Sequence, residues 1–239
     1  MWNNARVLNR ISAAMFALAI LMLVAAMAWR AAHMDAFSVR DIDVIGDIRH
    51  VTRVQVETIV FDELQGTFFT VDIGVAKAAF EKLPWVRTVV VRRRWPNRLE
   101  VAVEEHREFA RWGNSALVNR YGEVFEGASN DRLPTFEGPD GSSVEVTRNY
   151  LQFDKALQLI GRQVDAVQVS ERRAWRVRLD DGTVIELGRD HVIARLNNYV
   201  AAYGRSVARL EGGARHVDLR YANGFSVRVK GLEWGDTRA

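Results

Sequence analysis

The sequence predicts a membrane protein with one transmembrane helix, followed by an α+β ectodomain that is made of two domains. Two observations lead to this fold class. Residues 11–29 carry no charge, and the hydrophobic patterns after them change from strand–helix–helix–strand–strand to a strand-rich order with two amphipathic helices. The 239 residues suffice for this arrangement, because single domains usually contain about 100–200 residues.

The uncharged run from Ile11 to Trp29 has the length of a membrane-spanning helix. At about 1.5 Å per residue it reaches roughly 28 Å, close to the ~30 Å hydrocarbon core of a bilayer. The leader of residues 1–10 carries Arg6 and Arg10 and no acidic residue. The positive-inside rule therefore predicts a cytoplasmic N-terminus and an extracytoplasmic C-terminal part.

A cleavable signal peptide is the competing interpretation of this helix. Ala26-Met27-Ala28 satisfies the small-x-small pattern of a cleavage site. The hydrophobic run is, however, about twice as long as the usual signal-peptide core. We therefore expect an uncleaved anchor, followed by a linker over residues 30–36.

Residues 37–106 have the pattern of a small domain in which two helices cover one face of a sheet. Thr52 and Gln55 form a capping-box pattern at the start of the first helix, and Asp72 can cap the second. The second helix is expected to bury Phe80 and Trp85 where it meets the next strand. Strands then follow on both sides of a Pro96-Asn97 turn.

Residues 107–231 contain more strand patterns than helix patterns, and residues 232–239 form a tail. Ser142 and Glu145 predict a capping box at the start of a helix, and a longer helix is expected from Asp190 to Leu210. Residues 133–141, which include two prolines, are expected to form a loop. The turns of two hairpins are predicted at Asp180-Asp181-Gly182 and Asn223-Gly224.

The search for catalytic chemistry finds little. The chain has no cysteine, and its five histidines are far apart, so we predict no cofactor, metal ligand or catalytic residue. The densest titratable cluster is Glu104-Glu105-His106, which we expect at a solvated strand end. The run Arg92-Arg93-Arg94 is expected to extend into solvent, with a lipid-headgroup or partner contact as the functional alternative.

The last hairpin is the best candidate for a binding surface. A terminal strand often forms a sheet edge, and an exposed edge can pair with another chain by β-augmentation. Arg220 could bind a carboxylate, while Tyr221 and Phe225 flank the predicted turn. The alternative is a hairpin that packs on its own sheet and places its aromatic residues in the core.

Several short segments, in this order and spacing, resemble the FtsQ/DivIB family of bacterial cell-division proteins in its proteobacterial form. The match extends over essentially the whole chain. The segments that carry the resemblance are Phe68-Phe69-Thr70-Val71-Asp72, Leu83-Pro84-Trp85-Val86, Arg92-Arg93-Arg94-Trp95-Pro96, Val103-Glu104-Glu105, Ala110-Arg111-Trp112, Leu133-Pro134 through Gly138-Pro139, Arg173-Ala174-Trp175, Leu187-Gly188-Arg189 and Val217-Asp218-Leu219-Arg220-Tyr221.

The resemblance implies a POTRA domain at 37–106 and a β-domain at 107–231. It implies a non-enzymatic divisome scaffold in septum formation that binds the FtsB–FtsL pair through the final strand of the β-domain. FtsK and FtsW-type proteins would contact the POTRA domain and the membrane-proximal part. The location implied is the inner membrane at midcell, with a cytoplasmic N-terminus and a periplasmic C-terminal part, and neither nucleic acid nor a small-molecule substrate is expected.

The resemblance places Arg172, Arg220 and Tyr221 on the partner-binding surface. Together with the last strand and its turn, the residues expected to bind a partner are Arg172, Arg220, Tyr221, Gly224, Phe225, Val227 and Val229. The chain departs from some relatives at Val229, where they carry tryptophan, while Trp234 lies further on. Two other function classes compete with this one: another POTRA-bearing protein of secretion or outer-membrane assembly, and a membrane-tethered periplasmic enzyme.

Overall fold

A computed structural model describes residues 5–34, 37–39, 41–52, 54–56, 58–59, 66–210, 213–221 and 224–229, with the side chains described from residue 8 onward. The chain divides into two compact units, Met1–Glu105 and His106–Ala239. The α-helices with defined bounds are α1 (Ala5–Ala32), α2 (Ile73–Glu81), α3 (Ser143–Gln158) and α4 (Val192–Tyr203). The strands are β1 (Asp41–Ile45), β2 (Val86–Arg94), β3 (Arg98–Glu105), β4 (Glu108–Trp112), β5 (Ala116–Asn119), β6 (Val124–Glu126), β7 (Thr135–Glu137), β8 (Val164–Val169), β9 (Trp175–Leu179), β10 (Val184–Gly188), β11 (Ala214–Asp218) and β12 (Ser226–Val229).

Helix α1 contains the predicted membrane span. Its segment Leu8–Ala32 has 25 residues and a mean hydropathy of 2.5, and none of its most apolar window is buried inside the protein. Among the described residues it is the one helix long and apolar enough to cross a bilayer. An exposed apolar surface of this size fits the predicted span, because soluble proteins bury most side chains of this kind.

The first unit contains a three-stranded sheet in the order β1-β3-β2, with β1 parallel and β2 antiparallel to β3. Its core includes Phe80 from α2, which is fully buried as predicted. The carboxylate of Asp72 caps α2 by accepting hydrogen bonds from the backbone N–H groups of Gly74 and Val75. The prediction for Trp85 is wrong, because this side chain is only half-buried and stacks on the imidazole of His50.

The capping box predicted at Thr52 is present. The amide of Gln55 donates to the Thr52 hydroxyl at 3.3 Å, and the Gln55 side chain accepts from the Thr52 amide at 2.9 Å. Residues 54–56 and 58–59 are helical. The sequence pattern also predicts Val60 and Leu64 on the apolar face of this helix, and both lie outside the described residues.

The second unit is a mixed nine-stranded sheet in the order β12-β11-β10-β9-β8-β7-β4-β5-β6. Helices α3 and α4 pack on the sheet and contribute Phe153, Leu157, Leu196 and Tyr199 to one continuous core. The strands alternate between these buried side chains and polar ones, as in β9, where Val177 is buried between two exposed arginines. This pattern is typical of a sheet with one face on the core and the other in water.

Strand β7 corrects the prediction of a loop over residues 133–141. It lies between β4 and β8 in the middle of the sheet, parallel to both, and buries Phe136 completely. Only three residues, Thr135–Glu137, form this strand, with Pro134 directly before it. A segment this short shows no recognisable hydrophobic alternation. Its place in the sheet is set by the neighbouring strands, so the sequence pattern could not predict it.

Two details of the predicted helices are also wrong. Helix α3 begins where expected, but Ser142 donates its hydroxyl to the Pro139 carbonyl and Glu145 pairs with Arg173, so the capping box does not form. Helix α4 ends at Tyr203, and a separate short 3₁₀ turn, Val207–Arg209, follows it. Val207 is buried in that turn, which explains why the apolar pattern continues past the end of the helix.

Candidate partner-binding edge

Strand β12 lies at one end of the nine-stranded sheet. It pairs antiparallel with β11, and no other described strand pairs with its second side. An edge strand presents backbone N–H and C=O groups that a further strand can bind. The tail of residues 230–239, including Trp234, lies outside the described residues.

The register of β11 and β12 differs from the predicted tight hairpin. Val217 pairs with Val227 and Asp218 with Ser226, so seven residues connect the two strands and the pairing is centred on residue 222. A two-residue turn at Asn223-Gly224 would instead have placed residue 222 opposite Phe225. The asparagine–glycine signal was therefore misleading about register, although it correctly indicated two paired strands. Residues 222 and 223 lie outside the described residues.

The face of β12 that points toward the helices is anchored in the core. The ring of Phe225 meets the buried ring of Tyr199 edge-on, with centroids 5.5 Å apart, and Val227 also packs against the core. Val229 is half-buried and lies opposite Ala214. These three side chains hold the strand in place, so a partner strand would meet its backbone.

Beside the edge, the chain leaves β11 through a charged pair, Asp218 and Arg220. The Arg220 guanidinium donates to the Asp218 carboxylate from Nε at 2.9 Å and from Nη2 at 2.7 Å, and the Arg220 amide donates at 3.0 Å. The hydrogen bonds from the Arg220 side chain lower the pKa of Asp218 despite the opposing effect of its burial. Asp218 is 6% exposed, whereas the Arg220 side chain extends into solvent.

Two further predicted positions lie in the connection between β11 and β12. Tyr221 is 58% exposed, which leaves most of its ring available. Gly224 is exposed, and a Cβ atom added there would meet nothing within 4 Å. This part of the surface has one large aromatic side chain beside open backbone.

Arg172 lies at the same end of the sheet as Arg220 and Tyr221. It is exposed in the connection between β8 and β9, and Gly188 at the adjoining end of β10 approaches the Arg220 side chain. Since strands in a sheet are about 4.8 Å apart, β9 and β12 are separated by roughly 14 Å. A single partner segment could therefore reach both arginines.

The polar face of this sheet contains a groove that the sequence patterns did not predict. Its volume is about 700 Å³, and Arg228 of β12 forms part of its wall. The other charged or titratable residues that line it are Glu137, Arg176, Arg178, Glu186, Arg215 and His216. The arginines that alternate with buried residues in β9 could have indicated one wall of this groove. The residues that β10, β11 and β12 add to it could be predicted only from the strand order.

In the first unit, Glu105 corrects the expectation of a solvated strand end. Its side chain is only 5% exposed, and its carboxylate accepts hydrogen bonds from the amides of Arg49 (2.9 Å), His50 (3.1 Å) and Val51 (2.7 Å). Burial alone would raise the pKa of Glu105, but these backbone donors outweigh it and lower the pKa. The carboxylate therefore fixes the 49–51 loop to the end of β3.

Across the described ranges, which omit the tail after residue 229, no three histidine or acidic side chains come close enough together to hold a metal ion.

The fold defines the class first: a single-pass membrane protein in which one N-terminal helix precedes a small α/β unit and a strand-rich mixed sheet. Residues 37–106 match the family model described as "POTRA domain, FtsQ-type", and residues 110–220 match "Cell division protein FtsQ/DivIB, C-terminal". The chain belongs to the FtsQ/DivIB family of cell-division proteins.

Curated relatives agree with this assignment over nearly the full length. The chain is 44% identical to cell division protein FtsQ of Nitrosospira multiformis, over 95% of this chain and 99% of the relative. It is 41% identical to that of Burkholderia pseudomallei, over 98% and 96% of the two chains. For Neisseria gonorrhoeae the identity is 31%, over 95% of each. These matches confirm the predicted family and assign the chain a role in cell division.

Proposed function

We propose that this chain is a non-enzymatic scaffold of the divisome that binds the FtsB–FtsL pair through the open edge of β12. The observation that carries the proposal is the position of β12: one side pairs with β11, and no described strand covers the other. A partner strand added there would gain backbone hydrogen bonds for affinity, while neighbouring side chains would set its register.

The side chains around the edge support an acidic partner segment. Arg220 has a fixed orientation because Asp218 holds its Nε and Nη2 groups, which directs the rest of the guanidinium outward. Arg172 supplies a second exposed cation at the same end of the sheet. Arginine suits this role, since its planar donors match carboxylates in pairs. Tyr221 would add a rigid amphipathic contact of the kind often found at interface centres.

The remaining parts of the proposal concern topology and other partners. The N-terminus would be cytoplasmic, the chain after α1 would be periplasmic, and the protein would collect at the midcell septum. We assign the POTRA domain to residues 37–106 and the β-domain to 107–231, with FtsK and FtsW-type proteins contacting the former and the membrane-proximal part. In this way the protein would link early and late cell-division proteins, which requires a separate binding surface for each.

Co-purification of the full-length chain with the FtsB–FtsL pair tests the proposal. Arg172→Glu should weaken the interaction, more strongly at low salt because exposed charges are then less screened. Arg205→Glu, an exposed reversal just after α4, is the matched control and should bind normally. Equal binding by both variants, or a fluorescent fusion that does not form a midcell band, would contradict the proposal.

A further inference from the structure

In the first unit, segments that are distant in sequence come together next to the C-terminal end of α1. The hydroxyl of Thr67 donates to the carbonyl of Ala32 at 2.6 Å, and the amide of Phe68 donates to that of Phe37 at the same distance. The first bond fixes the loop over residues 66–71 to the last turn of α1, and the second fixes it to the chain just before β1. Ala32 is three residues past Trp29, or roughly 4.5 Å along the helix, so the loop lies close to the membrane surface.

The turn between β2 and β3 lies at this same end. Arg93 of β2 donates from Nη2 to the carbonyl of Val71 at 2.8 Å, which ties the strand to the 66–71 loop. Arg98, the first residue of β3, pairs with Asp41, the first residue of β1. Since β1 follows directly from the linker after α1, both contacts place the β2–β3 turn on the membrane side of the unit.

Two large aromatic side chains are exposed here. Trp95 in the turn is 78% exposed, and Phe69 in the loop is 51% exposed. Phe69 is supported from behind by Phe37 and Phe68, each with ring centroids 5.2 Å away. Exposed aromatic rings on a rigid support are costly in water, but they are favoured in the interfacial layer of a bilayer.

The charge at this end complements a lipid surface. Arg92, Arg93 and Arg94 end β2, and all three are exposed. Arg94 pairs with Glu100, whereas Arg93 donates to a backbone carbonyl and pairs with no carboxylate of the described residues. Basic side chains beside aromatic ones are typical of segments that bind anionic headgroups.

We propose that Phe69 and Trp95 insert into the headgroup layer of the bilayer that α1 spans, and that Arg92 and Arg93 contact its anionic lipids. The transmembrane helix keeps these side chains next to the bilayer at a high effective concentration. A weak interaction with lipid is therefore sufficient to maintain the contact. The contact would set the orientation of the first unit on the membrane. It does not depend on the partner edge of β12.

A fluorescent label in the β2–β3 turn tests this directly. The chain has no cysteine, so Asn97→Cys introduces a single labelling site and leaves Trp95 and the arginines in place. The full-length variant, labelled with an environment-sensitive dye, is reconstituted in vesicles of brominated phosphatidylcholine and phosphatidylglycerol. We expect several-fold stronger quenching than for a label at exposed Thr88, about 23 Å further along the strand direction.

Variants identify the groups responsible. Phe69→Ser with Trp95→Ser should abolish the excess quenching at position 97, whereas Tyr121→Ser, an equally exposed aromatic residue in the second unit, should not. Replacing phosphatidylglycerol by neutral lipid should reduce the quenching in the parent chain but not in an Arg92→Ser, Arg93→Ser variant. Quenching at 97 no greater than at 88, or unchanged by the aromatic substitutions, would overturn the proposal. If the label at position 97 is shielded from solvent only in cell membranes that carry the division partners, this end binds a partner protein instead.

Discussion

Arg220 closes over the carboxylate of Asp218 from the solvent side, with Nη2 2.7 Å from Oδ2 and Nε 2.9 Å from Oδ1. The carboxylate is nearly buried, and the guanidinium is exposed. Asp218 therefore fixes the orientation of the Arg220 guanidinium. One arginine of the proposed interface is thus held in place before any partner binds. This pre-organisation would reduce the entropy lost on binding.

The first prediction concerns the pH dependence of stability. The hydrogen bonds from Arg220 lower the pKa of folded Asp218. Their contribution is fully present above the unfolded carboxyl pKa of about 3.9 and is lost as the pH falls through the lower folded pKa. Arg220→Ala should therefore lower the urea midpoint at neutral pH, and the difference from the parent should shrink in acid.

Asp218→Asn is the matched control for this titration. It replaces the titrating carboxylate by a side chain of nearly equal shape, so Arg220→Ala in that background should show no acid-dependent difference. If the stability difference between Arg220→Ala and the parent stays constant from neutral pH into acid, the ionised Asp218–Arg220 pair does not stabilise the fold as proposed.

The second prediction separates the two aromatic residues near the edge. Phe225→Ala should lower the free energy of unfolding by about 1–2 kcal/mol, because it removes a half-buried ring and its edge-on contact with Tyr199. Tyr221→Ala should leave the unfolding free energy unchanged but weaken FtsB–FtsL binding by ≥2 kcal/mol, or roughly thirtyfold. Chemical unfolding and titration of the same two variants give both values. A destabilised Tyr221→Ala variant, or one with normal affinity, would be inconsistent with this assignment.

The third prediction uses the open space at Gly224. Because a Cβ atom there would meet nothing within 4 Å, Gly224→Leu should fold with unchanged stability. A partner segment that passes along the edge would meet the new side chain, so affinity should fall. Gly161→Leu is unsuitable as a control because of its positive φ; Gly204→Leu, at an equally open and exposed position after α4, should bind normally.

The fourth prediction concerns Glu105 in the first unit. Glu105→Ala leaves three backbone amides of the 49–51 loop without their acceptor, and should cost about 2 kcal/mol or more of stability. The contribution is present above the unfolded glutamate pKa of about 4.3 and disappears as the pH falls through the lower folded value. Glu104→Ala, which removes an exposed pair with Arg87, is the control and should have a small effect. Hydrogen exchange of the 49–51 amides measures the local opening.

Local features were predicted correctly where no distant group competes for the same side chains; the Ser142–Glu145 box fails because Arg173 binds Glu145. The Asp72 cap, the Thr52–Gln55 box and the burial of Phe80 follow from neighbours a few residues away, and each was correct. Glu105 was misjudged because its partners lie more than fifty residues earlier in the chain. No local pattern on a strand end indicates which distant loop will dock there.

The candidate site shows the same limit. Sequence patterns predicted that the chain ends in two paired strands, but the strand register depends on how Phe225 and Val227 fit the core above α4. Hydrophobic packing overrode the local turn preference of Asn223-Gly224. The groove that Arg228 shares with β9 and β10 also required the strand order, which separate strand patterns do not contain.

The central claim is that a partner strand pairs with the open side of β12, and a pair of proline substitutions tests it most directly. Successive N–H groups of a strand point to opposite sides, so of Ser226 and Val227 one donates toward β11 and the other toward the open side. Proline removes the N–H in each case. One variant should therefore lose stability, and the other should stay folded.

The measurement is the affinity of the folded variant for the FtsB–FtsL pair, with the full-length chain in detergent and unfolding monitored in parallel. We predict that the proline variant with parent-like stability loses most of its affinity, because one backbone hydrogen bond is removed and the ring obstructs the incoming strand. Parent-like affinity in that stable variant would contradict the account and place the partner surface elsewhere on the protein.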